Sequence, residues 1–260
     1  MLIIIKKVIN GLLLYAIIST LSFAMEIRDL AQAVDVAGKQ RMFTQRMLKD
    51  YAMVGMENNF GNPKKDLEFI VGEFEDHLNS LISFNSDEAT DKSLKDVQVL
   101  WLPIKNILQH KPNKDNVVMI QESLEELLKL ANISTQLFAK QTGKESGEII
   151  NISGRQRMLS QRMASLYMLK VWGIDDPKFK DKMNQAMELF KSSSEKLMAS
   201  DMNTPEIKKL LKESYKHFMF FQIMNKSSKK FIPTLIYKKS NQILKSMNTA
   251  TGLYVIEENK

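Results

Sequence analysis

From about residue 27 onward, apolar residues recur three and four positions apart. Short clusters of Gly, Pro, Asn and Asp interrupt the pattern. That spacing lays one apolar stripe along a helix, whereas a half-buried strand would alternate every second residue. The interruptions divide the first part of the chain into four helices. One covers about 27–58 and stops at Asn59-Phe60-Gly61-Asn62-Pro63. A second covers about 63–84, with Leu67, Ile70, Val71, Phe74, Leu78, Leu81 and Ile82 in register, and ends at Asn85-Ser86-Asp87. A third covers about 90–109, with Leu94, Val97, Leu100, Trp101, Ile104 and Leu108, and ends at Lys111-Pro112-Asn113. Pro103 inside it predicts a kink or a local break, because proline lacks the N–H of the helix ladder. A fourth covers about 115–141. Further breaks at Gly173 to Pro177, Asp201 to Pro205 and Ile232-Pro233 give the remainder the same plan. Gly143 and Gly147, at the junction, mark either a loop or a weak point in one long helix. Four helices joined by short loops predict an antiparallel bundle, so the fold class is all-α: two tandem antiparallel four-helix bundles.

The two halves are copies. Gly38-Lys-Gln-Arg-Met-Phe-Thr-Gln-Arg-Met47 returns as Gly154-Arg-Gln-Arg-Met-Leu-Ser-Gln-Arg-Met163, 116 residues later, with seven of the ten positions identical. The same shift, without a gap, places Tyr51 on Tyr167, Phe74 on Phe190, Asn132 on Asn248, Thr135 on Thr251 and Phe138 on Tyr254. Internal repetition of this length means a duplicated structural unit. The expected units are 25–142 and 143–260.

At 100° per residue, Val34, Gly38, Arg41, Gln45, Leu48 and Ala52 line one stripe of the motif helix. Ile150, Gly154, Arg157, Gln161, Ala164 and Met168 line its counterpart. Val36, Phe43, Met47, Tyr51 and Val54 form a second face, turned into the helix's own bundle. Lys39, Arg46 and Asp50 point a third way, toward solvent. An Arg and a Gln thus stand in rows that are otherwise small or apolar. The glycine one turn before each Arg weakens its helix by about 1 kcal/mol relative to alanine, a sign of close approach by a backbone or a ligand. Such a stripe needs a partner beyond its own bundle. The equivalent stripe fits, within the chain or across a homodimer. Facing stripes would bring Arg41 and Arg157 together. Two guanidiniums repel and offer only donors, and a small planar oxyanion satisfies both. The motif methionines Met42, Met47, Met158 and Met163 read as packing residues.

Composition narrows the chemistry. The chain has 260 residues, few glycines and prolines, and a net charge of +7. Lysines interleaved with acidic residues read as solvated helix faces. The patches Lys226, Lys229, Lys230 and Lys238, Lys239 could meet anionic polymers or lipids. Cysteine is absent, which excludes disulfides and thiolate chemistry. His77, His110 and His217 lie far apart, without metal-ligand spacing. No nucleophile–base set or carboxylate pair is present, so an enzyme is not expected, nor a cofactor or a metal. At the start, Lys6 and Lys7 precede an apolar run from Val8 to Leu21, followed by Ser22-Phe23-Ala24. This reads as a signal peptide over 1–24, with an uncleaved inner-membrane anchor as the alternative. The mature chain is then expected in the periplasm, which argues against nucleic acid as a partner, and without an output domain of its own.

The two motif segments, Gly38 to Met47 and Asn151 to Met163, resemble the N-terminal domain of type IV pili methyl-accepting chemotaxis transducers, the PilJ-like domain. They are also similar to the periplasmic nitrate/nitrite-sensing domain of NarX-type histidine kinases. The resemblance spans both copies. It implies four-helix sensory bundles outside the inner membrane, with an anion held at a two-fold interface by the Arg of Gly-x-x-Arg-Met. By position those arginines are Arg41 and Arg157, with Gly38 and Gly154 beside them and Gln45 and Gln161 one turn on. Asp35-Val36 departs from the family's lead-in, which Asn151-Ile152 keeps. The expected function is sensing of nitrate or nitrite, relayed to a membrane histidine kinase or chemoreceptor. The alternative is a ligand-free adaptor bundle of a pilus or chemoreceptor assembly.

Overall fold

A computed structural model describes residues 25–85, 87–174, 176–226 and 232–260, with side chains of 224–226 excepted. The expected signal peptide, 1–24, Lys229, Lys230 and the side chain of Lys226 lie outside that description. The described chain is helical without strands: α1 (Leu30–Gly55), α2 (Pro63–Phe84), α3 (Glu88–Leu108), a 3-10 turn (Lys114–Asn116), α4 (Val117–Gln141), α5 (Glu145–Val171), α6 (Pro177–Met198), α7 (Pro205–Lys226) and α8 (Pro233–Glu258). None of these helices is long and apolar enough to cross a membrane.

Local chemistry sets the ends. α2, α6, α7 and α8 each begin on a proline, whose fixed φ and missing N–H suit a first helical turn. Asp29 and Asp87 cap α1 and α3 by accepting from the backbone N–H of Gln32 at 2.7 Å and of Thr90 at 2.8 Å. Gly143 turns the chain between the halves with φ +65°, so the junction is a loop and not one long helix. α3 runs through Pro103 without a break.

α1 and α5 lie side by side at the centre, in parallel, related by a pseudo-two-fold axis. α2 and α4 pack on α1, and α6 and α8 pack on α5. α3 and α7 close the two bundles against α4 and α8. The buried apolar side chains of both halves form one continuous core. The duplication shows in the contacts. Gln40 donates to the Phe74 carbonyl at 2.9 Å and Gln156 to the Phe190 carbonyl at 3.0 Å. Tyr51 Oη accepts from Asn113 N at 3.0 Å, and Tyr167 Oη accepts from Ile232 N at 2.8 Å.

Two expectations need correction. The gapless 116-residue shift fails in the third helix. Phe74 stacks on Trp101 at 4.3 Å and Phe190 on Phe218 at 4.4 Å, so α3 and α7 correspond at 117. Leu94 with Leu211 and Ile104 with Phe221 are further buried pairs in that register. The longer connection at 199–204, against 85–87, absorbs the extra residue. Nor is the third face of α1 solvated. Asp50 is fully buried, and Lys39 and Arg46 are mostly covered and held in ion pairs with Asp35 and Asp66. α1 is enclosed on that side as well, by α2 and by residues of α8.

Candidate ligand-binding site between the motif helices

α1 and α5 approach closely at their glycines. A Cβ on Gly38 would lie 4.0 Å from the Cα of Gly154, and neither glycine puts a side chain of its own into the space between them. The space is filled by guanidinium tips. The same Cβ position lies 3.1 Å from Arg157 Nη2 and 3.3 Å from Arg41 Nη2, so the two Nη2 atoms are at most about 6.4 Å apart. Both arginines are fully buried. The whole stripe, Val34 to Ala52 against Ile150 to Met168, is buried with them.

Each guanidinium is held by both halves of the chain. Arg41 donates from Nη1 to Asn132 Oδ1 at 2.7 Å, and from Nη2 to the Asn151 carbonyl at 3.2 Å. Arg157 mirrors this, donating to Asn248 Oδ1 at 3.2 Å and to the Asp35 carbonyl at 3.2 Å. Position 35 corresponds to 151, and 132 to 248, so the cradle obeys the pseudo-two-fold except in one respect. Asp35 also accepts from Arg157 Nη1 through its carboxylate at 2.7 Å. Asn151 instead leaves its side-chain Oδ1 buried and without a partner, and the Nε of each arginine is likewise unpaired.

The electrostatics are correspondingly lopsided. Burial alone would raise the Asp35 carboxyl, but Arg157 and Lys39 beside it hold it below the usual carboxylate range. Arg41 has no carboxylate within ion-pairing distance. Burial, followed by the nearby Arg155 and Arg157, lowers its proton affinity well below that of a free guanidinium. A guanidinium stays charged even so. The shift therefore measures how poorly its charge is compensated. An unpaired buried cation is costly, and a bound anion relieves the cost.

Four of the residues singled out by the motif thus meet: Arg41, Arg157, Gly38 and Gly154. Gln45 and Gln161 do not join them. One turn away, Gln161 accepts from Lys49 Nζ at 2.9 Å, and Gln45 accepts from Ser165 Oγ at 3.3 Å while donating to Glu125 at 3.3 Å. They fasten the seam and point no group at the guanidiniums. Asn132 and Asn248, by contrast, hold the arginines and were not expected to. Their only sequence signal is that an asparagine repeats at the same place in both copies. Among the described residues no three His, Cys, Asp or Glu side chains gather as metal ligands would.

The family model of the type IV pili methyl-accepting chemotaxis transducer N-terminal domain matches residues 26–130 and again 139–218. Neither the curated proteins nor the solved structures return a match.

Proposed function

The chain belongs to the family of type IV pili methyl-accepting chemotaxis transducer N-terminal domains, in two tandem copies, and on that premise we propose that it is a periplasmic sensor of a small planar oxyanion. Nitrate or nitrite sits between Arg41 and Arg157, over Gly38 and Gly154, and its occupancy is passed to a membrane histidine kinase or chemoreceptor. The observation that carries this reading is the buried, counter-ion-free guanidinium of Arg41, brought within reach of a second one across the seam. An anion there would accept from both helices at once. Its binding energy would go into the spacing of α1 against α5, the natural element through which to transmit occupancy.

Thermal unfolding of the full chain tests this. A ligand that binds only the folded state adds about 2.7 kcal/mol at one hundred times its dissociation constant. Nitrate or nitrite should raise the melting temperature while chloride at equal ionic strength does not, and Arg41→Gln should abolish the rise. A melting temperature indifferent to every small oxyanion would remove the sensing role. It would leave the adaptor bundle, a reading favoured by Asp35, which already supplies one negative charge to the seam.

A further inference from the structure

The pseudo-two-fold of the seam is broken at one chemically decisive place. Position 35 carries a carboxylate, and its counterpart, Asn151, carries a neutral amide. Both carboxylate oxygens of Asp35 are engaged, Oδ1 by Arg157 Nη1 at 2.7 Å and Oδ2 by Lys39 Nζ at 2.9 Å. On the other side Asn151 gives Arg41 only its backbone carbonyl. Arg157 is therefore neutralised within the chain and Arg41 is not.

We infer that Asp35 is a built-in counter-ion that sets the charge capacity of the seam to one, so that the site accepts a monoanion, gripped chiefly by Arg41, and rejects a dianion such as sulfate. This rests on the oxyanion-binding reading above and adds to it which anions are admitted. The groups facing Asp35 are Arg157, Lys39 and His77. His77 is buried and titrates at about 4, so it is neutral near pH 7. Lys39 is partly exposed, and Arg155, the equivalent of Lys39, is a cation whose charge bears on Arg41 on the other side. Solvent screens these rim cations more than the buried trio. Arg41, Arg157 and Asp35 leave one positive charge uncompensated in the dry part of the seam. A monoanion cancels it. A dianion would bury a net negative charge, which a low-dielectric seam penalises heavily. Asn151 also lines two adjoining surface cavities of about 510 and 450 Å³, so open space borders the under-compensated side.

The experiment is calorimetric titration of the full chain with sodium nitrate and sodium sulfate, on the wild type, Asp35→Asn and Asn151→Asp. Asparagine at 35 reproduces what the fold already holds at 151. The wild type should bind nitrate and ignore sulfate. Asp35→Asn should bind nitrate at least about tenfold more tightly, as loss of a unit charge a few ångströms away requires, and should acquire sulfate binding. Asn151→Asp, which supplies the second carboxylate, should lose nitrate binding. Wild-type nitrate binding that persists unchanged in both variants, with sulfate still excluded, overturns the role of Asp35 and leaves oxyanion sensing intact. Nitrate binding by Asp35→Asn alone would mean that Asp35 already fills the seam; it overturns a capacity of one and removes the sensing role from the native chain. Silence in all three proteins overturns both.

Discussion

Replacing Gly154 by alanine asks whether the seam is as tight as its geometry implies. In an ordinary helix interior the change is favourable by about 0.5–1 kcal/mol, because alanine loses less backbone freedom on folding. At Gly154 the new Cβ would stand 2.9 Å from Arg157 Nη2, closer than side-chain carbons approach other atoms, so that nitrogen must move. It is not free to do so. Nη2 is bonded to the Asp35 carbonyl at 3.2 Å, and Nη1 of the same rigid plane is bonded to the Asp35 carboxylate at 2.7 Å and to Asn248 at 3.2 Å. Loss of one hydrogen bond to a charged group costs about 1.5–3 kcal/mol. The balance is a net destabilisation of about 0.5–2.5 kcal/mol, or a melting temperature lower by about 1–10 °C. Gly72, within α2, and Gly252, within α8, provide controls, since a Cβ on either meets no atom within 4 Å. Gly72→Ala and Gly252→Ala should raise the melting temperature by about 1–4 °C. Circular dichroism melts of the three variants at one pH decide the matter by sign. A Gly154→Ala protein stabilised as much as the controls would refute the close approach of Arg157 to the crossing point.

Two further predictions concern the bundle. Asp50 is fully buried beside the Asp66 carboxylate, neither of its oxygens accepts a hydrogen bond, and the Lys49 ammonium stands 3.6 Å away. Burial pushes its carboxyl well above the usual range despite Lys49. A raised carboxyl means stability that is full below the unfolded pKa of about 3.9 and is lost as pH rises through the folded value. Asp50→Asn should therefore melt higher than the wild type near pH 7, with the gap closing below about pH 4; equal melting at both pH values would contradict the buried charge. Trp101 has an unpaired indole N–H, and phenylalanine fills the corresponding place at 218. Trp101→Phe should cost about 1 kcal/mol or less, and Trp101→Ala about 3–5 kcal/mol, in urea unfolding; similar losses from both would contradict the packing equivalence.

Much of the fold could be read from helical periodicity and breakers. Pro63, Pro177, Pro205 and Pro233 each open a helix where a break was expected. What escaped was whatever depends on neighbours. A helical wheel treats α1 as if solvent lay on every unassigned side. Lys49 instead meets Gln161 at 2.9 Å and Asn241 at 3.2 Å and lies over the Tyr237 ring at 4.4 Å, all from the other half of the chain. The one-residue slip of the third helix was hidden because the first, second and fourth helices keep the shift of 116. The partner of Phe190 reveals it, since a gapless match would have placed His217 there. At the site, Arg41, Arg157, Gly38 and Gly154 stood out because an Arg beside a Gly on an apolar stripe is anomalous in one dimension. Asn132 and Asn248 approach from α4 and α8, and no helical wheel of α1 or α5 contains them.

A duplicated chain can do something that a symmetric pair of single modules cannot. In a homodimer an aspartate at the position of Asp35 would appear twice, one on each arginine, and would neutralise both guanidiniums. The seam would then be a closed set of ion pairs with no charge left for a ligand. An asparagine in both places would leave two bare cations, whose repulsion only a ligand could offset. With both modules in one polypeptide, aspartate at 35 and asparagine at 151 give an intermediate state. One arginine is settled by the chain, and the other remains under-compensated, held by neutral oxygens alone. The same divergence recurs a few turns along, where Lys49 faces Gln161 while its counterpart, Ser165, faces Gln45. Such asymmetry, on the proposed reading of the seam, is what would let the parallel helix pair answer to one added negative charge.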